Sequence, residues 1–123
     1  MNNKLIQSIF LTALMLLCFN VNAEYSGMST LTGQYDITGK TSIDPPGSEP
    51  RDTHFRVYIT GEAAKDLYNN MKAKPIEDLC LDDGSISKFS GHMQCTKIKN
   101  KGNYECRFAI DIQNQKIDYG WAC

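Results

Sequence analysis

Apolar and polar residues alternate along two stretches in the first half of the chain. In residues 31–43 the odd-numbered positions are apolar or small, and most of the positions between them are polar. The alternation resumes in residues 54–60. A period of two over such lengths is typical of half-buried β-strands. The pattern therefore predicts two strands, joined by a proline-rich loop at residues 44–53.

The period changes after Thr60 and predicts one amphipathic helix. Thr60 is a suitable N-cap, Glu62 places negative charge in the first turn, and Pro75 follows the helix. Apolar residues recur at i, i+1, i+4, i+5 and i+8, which places them in one stripe on a helix. This stripe, which we expect to pack on a sheet, consists of Ala63, Ala64, Leu67, Tyr68 and Met71.

Three further alternating runs occupy the last third of the chain, at residues 88–95, 104–110 and 117–123. Turn-forming residues separate the second run from its neighbours, at 100–102 and 113–115. These runs predict a three-stranded antiparallel meander. The whole pattern predicts an α+β fold, with the order β-β-α-β-β-β and the helix on one face of a small antiparallel sheet.

The first 23 residues have the features of a signal peptide. Lys4 precedes an apolar run at residues 9–19, and the small residues Val21 and Ala23 suit cleavage after Ala23. The apolar run is too short for a membrane anchor, because a spanning helix needs about 20 residues. We therefore expect a single domain at residues 24–123, located in the bacterial periplasm or secreted, with no stable membrane anchor.

Four of the five cysteines follow this leader. An even number of cysteines in an oxidising compartment favours two disulfides. If residues 114–115 are central in the last turn, Cys106 lies opposite Cys123 in the predicted register. This arrangement predicts Cys106–Cys123 and leaves Cys80–Cys95, although four cysteines allow three pairings.

The composition favours some classes of function over others. The chain has 13 basic and 14 acidic residues, so it offers no basic face for nucleic acid. Its two histidines, His54 and His92, are interpreted as exposed surface residues without a nucleophile beside them. No cluster of histidines and free cysteines suggests a metal site. We therefore expect no catalytic activity, no metal and no cofactor.

A small, disulfide-stabilised exported protein without catalytic residues predicts a function in binding. The first hypothesis is a protein that binds another protein, such as an inhibitor or an immunity factor. The candidate partner contacts, which include the usual hot-spot residue types, are Arg56, Tyr58, His92 and Arg107.

Two alternative functions remain open. One is an accessory subunit of an envelope assembly, in which residues 31–43 form an exposed edge strand that pairs with a neighbour. The other is a periplasmic protein that binds a small ligand between the helix and the sheet. The residues expected to line that pocket are Tyr68, Met71, Tyr119 and Trp121.

Overall fold

The computed structural model describes residues 27–121, so the predicted leader and Cys123 lie outside the described residues. Within this range no helix has both the length and the apolar character needed to cross a membrane. The elements are β1 (Thr32–Thr38), β2 (His54–Thr60), α1 (Gly61–Asn70), β3 (Ile76–Glu77), β4 (Ile86–Ser90), β5 (Met93–Lys97), β6 (Tyr104–Asp111) and β7 (Lys116–Asp118).

All described strands belong to one antiparallel sheet with the order β1-β2-β6-β5-β4-β3. The long strand β6 pairs with β2 along one side. On its other side β6 pairs with β5 through residues 104–107 and with β7 through residues 109–111. The predicted α+β class is confirmed, and the two predicted groups of strands form one continuous sheet. The predicted order β-β-α-β-β-β is wrong, because within residues 27–121 five strands follow the helix instead of three.

The predicted helix stripe is confirmed as the face of α1 that packs on the sheet. Ala64 and Tyr68 are buried with Ile59 of β2 and Cys106 of β6, and the other stripe residues surround them. Thr60 is the N-cap, with an extended backbone. At the other end of α1, Lys88 Nζ donates hydrogen bonds to the carbonyls of Tyr68 and Met71. The carbonyls at the C-terminal end of a helix have no N–H partner within the helix, and a lysine can supply one.

The predicted strand at residues 88–95 is two strands. β4 and β5 form a hairpin, in which Ser90 pairs with Met93 and only Gly91 and His92 separate them. Gly91 has a φ of 57°, which glycine adopts without a steric penalty. Small or apolar residues continue at odd-numbered positions through this turn, so the sequence pattern did not show the break. The register places Phe89 opposite Gln94, and therefore on the other face of the sheet from Met93 and Cys95.

The structure contradicts both predicted disulfides. Cys95 and Cys106 lie opposite each other on β5 and β6, with Cα atoms 4.0 Å apart, and are bonded to each other. The pairs Cys80–Cys95 and Cys106–Cys123 are therefore wrong. Within residues 27–121, Cys95–Cys106 is the only disulfide for which both cysteines are described.

The register of the last hairpin explains this error. Ile110 pairs with Ile117, two positions away from the register that the sequence predicted. The turn has four residues instead of two, because the Asp111 carboxylate accepts hydrogen bonds from the backbone and side-chain amides of Asn114. Local side-chain bonds of this kind stabilise turns.

The first strand is shorter and more exposed than predicted. β1 ends at Thr38, and every residue of this strand before Thr38 is exposed. Among the strands of residues 27–121, β1 pairs only with β2 and forms one edge of the sheet. Alternation predicted a half-buried strand, but an edge strand has a neighbour on one side alone, and α1 covers the central strands instead.

The observed bond leads to a prediction about the remaining cysteines after the leader. With Cys95 bonded to Cys106, the only pairing that completes two disulfides is Cys80–Cys123. Mass spectrometry of a proteolytic digest of the unreduced protein should recover two disulfide-linked peptides, one for Cys95–Cys106 and one for Cys80–Cys123. A linked peptide that joins Cys80 to Cys95 would contradict the register of β5 and β6.

Candidate functional site

Three of the four predicted contact residues lie on the sheet face opposite α1. Arg56 and Tyr58 are on β2 and Arg107 is on β6, where Tyr58 and Arg107 are directly paired. His92 lies in the turn between β4 and β5 and belongs to a different group of side chains. The structure therefore brings two of the predicted contacts together and gives the other two separate surroundings.

Arg56 is buried and its donors are used within the fold. Its Nε donates to the hydroxyl of Thr38, Nη1 to the carbonyls of Tyr119 and Gly120, and Nη2 to the carbonyls of Gly39 and Lys40. These bonds use all five N–H groups of a guanidinium. Arg56 therefore connects two segments of the chain and is not accessible to a partner. Alternation indicated its face correctly but could not show that loops cover it.

Tyr58, Glu105, Arg107 and Trp121 form a group that we call the arginine–aromatic surface. Glu105 accepts a hydrogen bond of 2.5 Å from the Tyr58 hydroxyl and another of 2.5 Å from Arg107 Nη2. The Arg107 guanidinium carbon lies 5.2 Å from the ring centre of Tyr58 and 5.7 Å from that of Trp121. These distances allow cation–π attraction to both rings.

The electrostatic setting keeps Tyr58 a hydrogen-bond donor. Burial raises the pKa of the Tyr58 phenol, and its hydrogen bond to Glu105 raises the pKa further. At neutral pH the neutral hydroxyl and the guanidinium thus both donate to one carboxylate. Arg107 is thereby held in one position, while Trp121 remains 55% exposed.

Two open grooves flank this surface. One has a volume of about 670 Å³ and the other about 380 Å³, and both are lined in part by Tyr58 and Arg107. The larger groove extends towards the start of α1 and the turn before β6, and the smaller towards β1 and Trp121. The raised pKa keeps the Tyr58 hydroxyl protonated beside Glu105. Arginine, tyrosine and tryptophan, three of the four residues of this surface, are the types most enriched in binding hot spots.

The loop between β1 and β2 is fixed by a carboxylate. Glu49 accepts hydrogen bonds of 2.6 Å from both the backbone N–H and the hydroxyl of Thr41. These bonds hold the pKa of Glu49 below its usual value of 4.5. The residues just before Thr41 supply two carbonyls to Arg56, so the loop is tied both to itself and to the sheet.

A second group of polar side chains lies at the opposite end of β2. His54 is buried, which contradicts the expectation of an exposed histidine. Its Nε2 lies 3.5 Å from Asp118 Oδ2 and makes no hydrogen bond, while its Nδ1 lies 2.9 Å from the Thr53 hydroxyl. His54, Asp111 and Asp118 have ligand atoms within 4.8 Å of one another.

Sequence reasoning missed this group because its members come from three strands. His54 pairs directly with Asp111, and β7 brings Asp118 to the same end of β6. The signal was present in the alternation, which places His54 on the same side of β2 as Arg56. The missing information was the true register of β7.

His92 lies at the edge of this second group. Its ring stacks on Tyr119 at a centroid distance of 4.1 Å, and Nδ1 lies 3.1 Å from the Ile117 carbonyl and 3.5 Å from Asp118 Oδ1. Its side chain is 42% exposed. The residue therefore fastens the β4–β5 turn to the end of β7.

The four side chains expected to line a ligand pocket do not meet. Tyr68 and Met71 pack beneath α1 in the core. Trp121 contacts Arg107 on the other face, and Tyr119 stacks on His92. These side chains therefore line no common cavity between the helix and the sheet.

No protein-family model, no curated protein and no solved structure matches this chain.

The buried guanidinium predicts a large effect of a conservative substitution. Arg56→Lys keeps the charge but offers three donors from one atom, so at least two of the five acceptors lose a partner. We expect the free energy of unfolding to fall by about 2–4 kcal/mol, measured by urea denaturation of the oxidised protein. Arg51→Lys, at an exposed position, is the control and should stay within about 0.5 kcal/mol of the wild type. A similarly small change for Arg56→Lys would contradict the role given to Arg56.

The lowered pKa of Glu49 predicts a pH dependence. Ionised Glu49 stabilises the fold at pH values above 4.5, and this contribution is lost as the pH falls through the lower pKa of the folded state. Glu49→Gln should therefore lower the urea midpoint at neutral pH, and its difference from the wild type should shrink at about pH 3. Glu77→Gln, at an exposed position of β3, is the control. A difference for Glu49→Gln that is the same at both pH values would refute the assignment.

Proposed function

We propose that this chain is a small exported protein without catalytic activity that binds another protein through the arginine–aromatic surface, as an inhibitor or an immunity factor does. The observation that supports this function is the position of Arg107. Its guanidinium lies near the rings of Tyr58 and Trp121 and is held by Glu105. Arginine, tyrosine and tryptophan are the residue types most enriched in binding hot spots.

The geometry also reduces the cost of binding. A long side chain that becomes ordered at an interface loses about 0.5–1.5 kcal/mol of conformational entropy. Glu105 has already restricted Arg107 in the free protein. Trp121, which is more than half exposed, offers a large apolar area that a partner can cover.

The grooves indicate the shape and chemistry of the partner. Open grooves on both sides of Arg107 suit a protruding loop of another protein. Glu105 is contacted by only one terminal nitrogen of Arg107, so the guanidinium retains donors for a partner's carbonyl or carboxylate oxygen. The larger groove contains both basic and acidic side chains, which favours a partner loop of mixed charge.

Export agrees with the chemistry of the core. Cys95 and Cys106 are fully buried and bonded in the centre of the sheet. Stable disulfides of this kind are typical of proteins in oxidising compartments such as the periplasm. This bond and the predicted leader both favour a periplasmic or secreted location.

A second candidate function is supported by the edge strand β1. Tyr35 and Ile37 are 72% and 49% exposed on it. Exposed edge strands can pair with a strand of a neighbouring protein. An accessory subunit of an envelope assembly would use this edge instead of the arginine–aromatic surface.

A comparison of variants in one capture experiment tests both functions. Immobilised, oxidised wild-type protein is incubated with periplasmic extract and culture medium of the source organism, and bound proteins are quantified by mass spectrometry. We expect one stoichiometric partner, whose retention falls at least about tenfold with Arg107→Ala, as expected for a hot spot worth more than 1.4 kcal/mol. Urea denaturation verifies that the variant is folded.

Lys97→Ala is the matched control, since it removes an exposed cation from the neighbouring strand β5. It should leave retention unchanged. Ile37→Lys tests the edge strand: loss of the partner in this variant alone would transfer the function to β1. Failure of the wild type to retain any protein would refute both candidates.

A further inference from the structure

His54, Asp111 and Asp118 form a compact group of metal-ligand side chains that the binding function does not use. They come from β2, β6 and β7, and their ligand atoms all lie within 4.8 Å of one another. His54 and Asp111 are buried, and the Asp118 side chain is 18% exposed. The group is thus enclosed but reachable from solvent past Asp118.

The buried ring nitrogen of His54 lacks a hydrogen-bond partner. Nε2 is the one buried side-chain nitrogen or oxygen among residues 27–121 that has none. Leaving such an atom unsatisfied costs about 1–3 kcal/mol. Asp118 Oδ2 is 3.5 Å away, which is too far for a good N–H···O bond. The arrangement therefore calls for a further group between the ring and the carboxylates.

The charges indicate that this group is a cation. Two carboxylates face the imidazole ring, and a neutral Nε2 would direct its lone pair towards their oxygens. A cation bound by all three side chains would satisfy the ring nitrogen and neutralise the carboxylates at the same time. A divalent ion matches the two negative charges.

The donor set and the spacing favour zinc. Calcium and magnesium prefer shells made of oxygen, whereas zinc readily combines imidazole nitrogen with carboxylate oxygen. Two ligands at about 2.0–2.2 Å from a tetrahedral zinc ion lie roughly 3.3–3.6 Å apart. The distance of 3.5 Å between His54 Nε2 and Asp118 Oδ2 falls in this range.

Each ligand is oriented by a second contact. The Thr53 hydroxyl can accept from His54 Nδ1, which leaves Nε2 free to coordinate. Asn114 donates two hydrogen bonds to Asp111, and the Tyr119 N–H donates to Asp118. Partners of this kind fix the ligand geometry at metal sites.

We propose that His54 Nε2 and the carboxylates of Asp111 and Asp118 bind one Zn²⁺ ion, with water completing its coordination. The ion connects β7 to β2, whose ligands Asp118 and His54 lie far apart in the sequence. Because the segment after β7 leads to Trp121, zinc binding also stabilises the position of one member of the arginine–aromatic surface. The proposal itself does not depend on the protein-binding function.

The first test is zinc titration of the oxidised, chelator-treated protein without a histidine tag, followed by calorimetry and native mass spectrometry. The wild type should bind one zinc ion per chain and unfold at a higher temperature when loaded. His54→Gln and Asp118→Asn should each weaken binding by more than about tenfold, since changes in outer-shell partners alone cost that much.

His92 is the only other histidine of the chain. Asp66→Asn, at an exposed position of α1, is the matched control for Asp118→Asn. Its zinc affinity should stay well within that tenfold range. Absence of stoichiometric binding by the wild type would overturn the proposal. So would zinc binding that His92→Gln removes and His54→Gln does not.

A measurement on the wild type alone covers the case in which the ligand variants do not fold. The ¹⁵N resonances of the His54 ring report whether each nitrogen carries a proton or a metal. On addition of zinc we expect Nδ1 to keep its proton and Nε2 to move to a metal-bound position. If both nitrogens carry protons and do not respond to zinc, then an imidazolium paired with Asp118 occupies the site, and the zinc proposal is refuted.

Discussion

The buried guanidinium of Arg56 is the constraint on which the polar face of the sheet depends. A buried charge without partners costs several kcal/mol, so all five N–H groups need acceptors inside the protein. Four of these acceptors are backbone carbonyls of irregular segments, at residues 39–40 and 119–120. Neither segment belongs to a strand or a helix, and one side chain of β2 connects both of them to the sheet.

Both candidate sites inherit their geometry from this anchor. Gly120 lies so close to β6 that a Cβ at this position would be 2.4 Å from the backbone nitrogen of Phe108. A glycine allows the chain to pass there, directly before Trp121 and shortly after Asp118. Arg56 holds residues 119–120 on the polar face. Asp118 and Trp121, which flank them, belong to the histidine–aspartate group and to the arginine–aromatic surface, respectively.

The sequence was informative wherever a local period determined the structure. The α1 stripe, the strands β2 and β6, and the sides of Tyr58 and Arg107 follow from alternation and helical spacing, which depend on near neighbours alone. The β4–β5 turn did not follow, because small or apolar residues continue at odd-numbered positions through it although the faces exchange there. The register of β7 did not follow either, because a side chain of Asp111 determines the last turn. The burial of His54 and Arg56 could not be predicted either, since distant segments cover them. The proposed zinc ligands and the arginine–aromatic surface both require that long-range information.

The position of Trp121 illustrates how stability and recognition are linked in this fold. A residue outside the strands and helices is poorly ordered unless the backbone before it is held. Here the carbonyls of Tyr119 and Gly120 accept hydrogen bonds from Arg56. Asp118 of β7 lies 3.5 Å from His54 of β2. The free protein has thus already met part of the entropic cost of presenting an exposed tryptophan beside Arg107. A partner that binds this surface would gain affinity because the buried Arg56, on the same face of the sheet, already restricts the backbone before Trp121.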